Sequence, residues 1–446
     1  MFGEVNMEII TILLVSAVLA ISVIARISIL YALLAGYFIF CVYAFIKKYT
    51  VFQIVKMSYI GIYAVKNILL TFLLIGMLTA VWRAAGTIPA IVCYAIEFIK
   101  PSMFVLTAFL LNCLVCFLTG TALGTAATMG VTCMMISVAI GINPILAGGA
   151  ILSGAYFGDR CSPLSTSALL IAELTFTDIF KNIRNMTITA VVPFVITCII
   201  YALTGIGASN SYQHTLDIQS LFSSSFQLDF AVLLPAFIIL LLSLLKINVK
   251  LSMIASIVSA IAVCLHYQGL DINSILKTMI LGYKSINPQI ASMINGGGII
   301  SMLKVTAIVC ISSSYAGIFR ETGLLDNLKD HIASFGKKSS SYSLVLLISI
   351  IVGIISCNQT LTIMLTHQLC DMLESDKNKL AIYLENTAVV ISPLIPWSIA
   401  SAVPLATISA PTSCVLAACY LYLLPLWGLI VEALLEKKSP KLDEIS

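Results

Sequence analysis

The chain is made of apolar stretches that recur from one end to the other. Ten are clean: Glu8–Ala25, Ile27–Ile46, Asn67–Trp82, Met103–Leu118, Thr187–Leu203, Phe230–Leu245, Leu251–Leu265, Ile300–Phe319, Tyr342–Ile355 and Ser413–Leu435. A helix needs about 20 residues to cross a bilayer, and these runs are of that order, so ten membrane spans are expected. Only 10% of the 446 residues are charged and 60% are hydrophobic, against roughly 25% charged in a soluble chain. Water is therefore not the main solvent. The less clean regions Ala126–Ala172 and Thr360–Pro411 should add further membrane segments. No stretch between runs is long enough for a separate soluble domain. The first run is too long, and lacks the basic start, for a cleaved signal peptide, and reads as a true span.

The formal net charge of +4 is small and does not point to nucleic acid; its placement is more informative. Basic residues gather at Lys47, Lys48 and Lys56, at Lys181 and Arg184, at Lys246 and Lys250, and at Lys437, Lys438 and Lys441. The polar loop Gly205–Gln227 holds no Lys or Arg. By the positive-inside rule that loop faces outward, and the basic loops and tail face the cytoplasm across the cell membrane. Most of the 13 cysteines lie in apolar runs. Cys113 and Cys116 form a CxxC, but with Leu, Val and Phe around it and no second pair it reads as core packing.

Short patterns recur in the same order at nearly one offset. "WRAAGTIP" around Arg83 resembles "FRETGLLD" around Arg320. The polar break Thr119–Gly120–Thr121 has a counterpart in Cys357–Asn358–Gln359. "SPL" at Ser162 returns as "SPLIPW" at Ser392. Duplicated halves with helices interrupted in corresponding places point to a secondary transporter whose site lies where the interruptions meet.

The central break is "SGAYFGDRCSPLST", Ser153–Thr166. Ser162 followed by Pro163 reads as an N-cap with Pro at the first helical position, and Ser392–Pro393 repeats that pattern. The preceding half-helix should end between Ala155 and Gly158, leaving Asp159 and Arg160 on unwound backbone. Such backbone is tolerated at membrane depth only when buried in protein or lining a wet cavity. A helix start suits an anion; a helix end and free carbonyls suit a cation. An ionisable residue there is costly and by default functional, so Asp159 is the leading site candidate. Arg160 can instead reach the interface by snorkelling. Glu385, the only acid of "LENTAVVISPLIPW", is a candidate proton carrier; the competing reading places it near the membrane surface.

The chain has no HExxH among its four histidines, no GxSG serine motif, and no GxGD pattern, so an enzyme is not expected. Gly296–Gly297–Gly298 lacks the Lys-Ser/Thr of a phosphate loop and reads as the flexible start of a hairpin. His367 reads as a satisfied hairpin histidine, Trp82, Trp397 and Trp427 as interfacial or packing residues, and Ile272–Tyr283 as an amphipathic surface helix.

"AGGAILSGAYFGDRCSPLS" with "DIFKNIRNM", "TAVWRAAGTIP", "TGTALGT", "GGGIISMLK" and "SPLIPW" together resemble the signatures of the NhaC-type sodium/proton antiporters. The matches run from about Leu74 to Trp397. The resemblance implies membership of the ion-transporter superfamily: an all-α polytopic membrane protein of two inverted repeats, with re-entrant hairpins and broken transmembrane helices around one site. It implies exchange of sodium for protons across the cytoplasmic membrane. The alternative it allows is coupled transport or exchange of an amino acid or a small carboxylate such as malate or lactate. The implied ion- or substrate-binding set is Asp159, Ser162, Ser165, Thr166, Thr119, Thr121, Asn358, Gln359, Glu385, Asn386, Thr387 and Ser392. Three carboxylates usual in the family are absent: the family's acid positions hold Thr166, Asn358 and Asn386. A site short of acids would suit a solute bringing its own carboxylate to the helix starts at Ser162 and Ser392.

The expected organisation is N-terminal helices over 1–66, a first repeat over 67–205 with its break at 153–166, and an outer loop at 206–228. Linking helices over 229–295 follow, then a second repeat core over 296–412 with its break at 384–397, and a last helix with a cytoplasmic tail over 413–446. No cofactor is expected, and no metal beyond transported sodium. Lipid is the expected environment, a homodimer is a possible assembly, and nucleic acid is not an expected partner.

Overall fold

A computed structural model of the chain describes residues 2–25, 28–98, 101–163, 165–206, 221–245, 247–287, 291, 294–322 and 340–438. Helix dominates them, and the one β pairing among them is an isolated bridge between Tyr283 and Gly296. The first half holds α1 (Phe2–Ile24), α2 (Ile29–Ile46), α3 (Val51–Ala64), α4 (Lys66–Ala84), α5 (Thr87–Phe98) and α6 (Phe104–Thr119). A helical stretch then runs as α7 (Ala122–Thr125), a π turn (Ala126–Gly130) and α8 (Val131–Ala139). After it come α9 (Pro144–Cys161), α10 (Thr166–Thr175) and α11 (Ile179–Ile206). Three linking helices follow, α12 (Leu234–Leu244), α13 (Val249–His266) and α14 (Ile272–Leu281). The second half holds α15 (Leu303–Thr322), α16 (Ser341–Ser356), α17 (Gln359–Cys370), α18 (Lys377–Asn386), α19 (Ala388–Ile391), α20 (Ile399–Thr407) and α21 (Cys419–Lys438).

Each of the ten apolar runs is helical through most or all of its described residues. Four helices among the described residues are long and apolar enough to cross a membrane alone: Lys66–Ala84, Pro101–Thr119, Ala122–Ala139 and Ile179–Gly205. Lys377–Leu394 and Ile399–Thr407 make a fifth as a pair bent by 55°. Most of the remaining apolar helices are 10–17 residues long, because turns and breaks divide the runs. Large apolar side chains such as Phe38, Phe52, Ile188 and Leu203 are exposed, which suits a lipid-facing surface. The molecule is a multi-pass membrane protein with an all-α fold. Residues 207–220, most of the expected outer loop, lie outside the described residues, as does the side chain of Arg320.

Two stretches share one local design. α6 (Phe104–Thr119) and α16 (Ser341–Ser356) are equally long. Each is followed by a left-handed residue, Gly120 at φ 69° and Cys357 at φ 54°. An extended N-cap comes next, Thr121 at φ −146° and Asn358 at φ −147°, whose side chain accepts an amide three residues on. The Thr119 and Thr125 hydroxyls lie 3.4 Å apart, and their counterparts on Ser356 and Thr362 lie 2.7 Å apart. The matching register therefore pairs Thr119 with Ser356 and Thr121 with Asn358. It is one position off the pairing of Thr119 with Cys357 read from the polar residues alone, and it is the register that pairs Arg83 with Arg320.

α9 is held against α6 by small residues. Gly154 and Gly158 sit one turn apart on the contact face, where an added Cβ would fall 2.5 Å from the Phe109 carbonyl oxygen or 2.6 Å from the Phe117 amide nitrogen. Small residues at this spacing let helix backbones approach closely. That approach brings the end of α9 against the Gly120–Ala122 turn. Trp82, with its indole N–H donated to the Ser256 hydroxyl at 2.9 Å, packs in the core, and Trp397 donates to the Ile354 carbonyl at 3.0 Å.

Candidate functional site

The end of α9 differs from the sequence expectation. The helix does not stop between Ala155 and Gly158; it runs to Cys161, so Asp159 and Arg160 stand in its last turn rather than on unwound backbone. Ser162 is the residue after the helix, and its hydroxyl donates to the Phe117 carbonyl at 2.7 Å. The N-cap of the next helix is Ser165, which accepts the amides of Ser167 and Ala168. The second break shifts in the same direction. Ser392 opens a single 3-10 turn and donates to the Ala388 carbonyl, while the new helix starts after Ser398, which caps Ala400. In both places Pro disrupts the helix early and a hydroxyl a few residues later restarts it.

Asp159 is the centre of the arrangement. It is 5% exposed. Ser165 Oγ donates to its Oδ1 at 3.2 Å and Ser167 Oγ to its Oδ2 at 3.0 Å. Gln359 Nε2, from the other half of the chain, reaches Oδ2 at 3.4 Å and the Val389 carbonyl at 3.2 Å. A cavity of about 150 Å³ opens beside the carboxylate, lined by Thr121, Ala122, Leu123, Tyr156, Asp159, Thr166, Asn358, Gln359, Thr360, Ile399 and Ala400, with Ile68 at one wall. Exposed Thr166 and Thr360 stand at its mouth. Ala122, Thr166, Gln359 and Ile399 are each the first residue of a helix. The starts of four helical segments thus line this one cavity.

That arrangement bears on the electrostatics. A helix N-terminus carries roughly half a positive charge, so the helix starts in the walls suit an anionic group in the cavity. Asp159, the hydroxyls and the Asn358 amide supply the oxygen that a cation needs. Among the described residues no group of three or more His, Cys, Asp or Glu could hold a resident metal ion.

Of the sequence candidates, the structure brings Asp159, Thr121, Thr166, Asn358 and Gln359 to the cavity, with Ser165 bonded to Asp159 behind it. Thr119 sits behind the Gly120 turn against Thr125. Ser162 and Ser392 spend their hydroxyls on helix carbonyls, and Thr387 donates to the Tyr383 carbonyl at 2.7 Å. Glu385 is fully buried in the protein, and neither carboxyl oxygen has a hydrogen-bond partner. Asn386 accepts from Arg160.

Arg160 does not snorkel. It is fully buried, donating to the Met186 carbonyl at 3.1 Å, to Thr189 Oγ1 at 3.0 Å and to Asn386 Oδ1. Sequence reasoning also passed over Ser167 and Tyr156, whose hydroxyl donates to the Ala400 carbonyl at 2.6 Å. Ser167 was within reach of the pattern: it lies two residues past the N-cap that replaced the expected one. Tyr156 gave no local signal. His367 stands 3.4 Å from Asp371 one turn on.

A second cleft of about 320 Å³ lies between α11 and α18, lined by Asn185, Ile188, Thr189, Asp376, Asn378, Lys379, Ile382 and Tyr383. Lys379 bridges Glu374 at 3.3 Å and Glu432 at 3.0 Å. Asp376 at the rim caps α18, and the Asn378 side chain and amide hold its carboxyl below the usual carboxylate range. A larger groove of about 550 Å³ between α12 and α13 is lined mainly by apolar residues, with Ser259, His266 and Tyr267 among them.

The sequence matches the model of the Na+/H+ antiporter family over residues 4–175 and 154–431. It is 31% identical to the malate-2H(+)/Na(+)-lactate antiporter of Bacillus subtilis over 73% of this chain and 71% of the relative. It is 30% identical to the Na(+)/H(+) antiporter NhaC of Alkalihalophilus pseudofirmus over 74% of this chain and 73% of the relative. The arginine/ornithine antiporter ArcD of Halobacterium salinarum is 29% identical over 73% and 70%. With the family model covering most of its length, the chain belongs to the Na+/H+ antiporter family, among relatives of the NhaC type.

Proposed function

We propose that the protein exchanges sodium for protons across the cytoplasmic membrane, with Asp159 alternately holding the cation and the proton. The observation that carries this reading is the buried carboxylate at a small polar cavity built from both halves of the chain, with Gln359 reaching it across 200 positions of sequence. A buried charge without a partner costs several kcal/mol. A carboxylate that can accept either a proton or a cation is neutralised in both loaded states. The volume of about 150 Å³ suits a small cation better than a drug-sized solute, whose pockets start near roughly 300 Å³. The matched designs of α6 and α16 support a duplication around this cavity, and repeats of opposite direction are the arrangement we propose for it. Inversion is tested by placing cysteines at Arg83 and Arg320 and labelling from one side; equal labelling of both excludes it.

Purified protein in liposomes tests the exchange. A sodium gradient should move protons outwards or inwards according to its direction, and a pH gradient alone should drive sodium flux. Absence of both defeats the reading.

The four helix starts in the lining favour a second reading, in which a small organic carboxylate occupies the cavity together with the cation. Relatives named for malate, lactate, arginine and ornithine support it, as do the neutral residues Thr166 and Asn358 in the lining. A ligand at a hundredfold excess over Kd stabilises by about 2.7 kcal/mol. A thermal screen of amino acids, organic acids and salts should then show stabilisation beyond that given by sodium. If only sodium or lithium stabilises, the plain cation/proton exchange stands.

A further inference from the structure

Asp159 and Arg160 are consecutive, yet about 100° apart around α9 they meet different neighbours. Asp159 lines the small cavity. Arg160 reaches instead to Thr189, and Thr189 lines the cleft between α11 and α18. Arg160 thus ties the helix that carries the cavity's carboxylate to a wall of the cleft. It is held by Met186, Thr189 and Asn386.

Hydrogen bonding around Arg160 is incomplete. Arg160 Nε, both carboxyl oxygens of Glu385 and the Tyr420 hydroxyl are buried without a well-formed hydrogen bond. Tyr420, Cys161, Glu385 and Tyr342 are titratable groups whose fields act on Arg160, and the Tyr420 hydroxyl already lies against its guanidinium. Unmade bonds at full burial are unfavourable, and here donors and acceptors are left over in the same place. Arg160 Nε and the Tyr420 hydroxyl can donate; the Glu385 oxygens can accept. A turn of the guanidinium toward Glu385 would give these groups partners, at the expense of the bonds to Thr189 and Asn386. A guanidinium with two discrete ways of being bonded is what a two-state element requires. The basic residues Lys181 and Arg184 open α11 beside the cleft, which places the cleft on the cytoplasmic side by the positive-inside rule.

We propose that Arg160 is the gate between the Asp159 cavity and the cytoplasmic cleft, closed here on Thr189 and Asn386 and opening by exchanging those bonds for Glu385, with Tyr420 beside the guanidinium throughout. The proposal rests on the reading of the Asp159 cavity as the transport site. It makes Arg160 a positioning residue that acts on access rather than on the ion itself.

Sided thiol labelling tests it in a chain freed of its 13 native cysteines. Ile188→Cys reports the cleft and Thr166→Cys reports the cavity. A membrane-impermeant maleimide applied from the cleft side should label Ile188→Cys readily and Thr166→Cys at least tenfold more slowly. Adding Arg160→Gln should bring the two rates within about threefold. Asn386→Ala, which removes one acceptor and leaves the guanidinium, should speed Thr166→Cys labelling in the same direction and serves if Arg160→Gln does not fold. Thermal stabilisation by sodium is measured on every variant as a check on the cavity. Thr166→Cys labelling that is unchanged by Arg160→Gln and Asn386→Ala, in protein still stabilised by sodium, overturns the gate. Loss of sodium stabilisation in the unsubstituted chain would instead overturn the cavity reading, while leaving the labelling contrast intact.

Discussion

Gly158→Ala puts the positioning of Asp159 to the test through its neighbour. A Cβ at 158 would sit 2.4 Å from the Cys116 Cβ and 2.6 Å from the Phe117 amide nitrogen, where ordinary contact begins at 3.4 Å. The two helices must therefore separate by about 1 Å, and overpacking of this kind costs about 1–3 kcal/mol. The shift falls on the next residue, Asp159, whose bond from Gln359 is already 3.4 Å long and whose bond from Ser165 is 3.2 Å. A displacement of about 1 Å at a reacting group can lower a rate by about 10²-fold. Gly158→Ala should thus melt earlier in detergent and exchange sodium for protons about a hundredfold more slowly in liposomes. Cys116→Gly removes the Cβ clash but leaves the backbone atoms Phe117 N and Cys116 C, at 2.6 Å and 2.7 Å, so the double variant should recover only part of either loss. Unchanged melting and exchange in Gly158→Ala would refute the reasoning, and full rescue by Cys116→Gly would show that only a side chain had been in the way.

Asp159→Asn should abolish exchange in liposomes and remove thermal stabilisation by sodium, while the protein still inserts and elutes as a single species; exchange at the unsubstituted rate would reduce Asp159 to a structural acid. Cys357→Gly should change stability by no more than about 1 kcal/mol, because glycine relieves the left-handed strain yet is more flexible when unfolded, whereas Gly120→Cys should cost about 1–2 kcal/mol; paired melting curves decide. Trp82→Phe removes the indole donor to Ser256 and should cost about 1 kcal/mol, leaving sodium stabilisation intact. Asp376 has a depressed carboxyl, so its capping contribution is present above the unfolded carboxylate range and is lost as pH falls through its lower folded value; acid melts of Asp376→Asn should lack that limb.

The local design was legible because its causes are local. Apolar length specified helices, and the polar residues at Thr119–Thr121 and Cys357–Gln359 announced the breaks, whose left-handed and capping geometry only the structure showed. The presence of Asp159 and Arg160 in an otherwise greasy stretch marked the central break before any geometry was known. The exact restart of each helix was not legible. Ser162 and Ser165 carry the same hydroxyl, as do Ser392 and Ser398, and only packing decides which one faces an amide and which one donates to a carbonyl. Spacing likewise could not reveal that Gln359 meets Asp159, or that Glu385 stays away from the cavity while its neighbour Asn386 meets Arg160. Those contacts join residues 200 and 226 positions apart. Composition and capping established a helical membrane protein with paired interruptions. Tertiary packing alone turned Asp159 towards the cavity and Arg160 towards the cleft, because consecutive residues on a helix point in different directions and only the neighbours on each side determine what they meet.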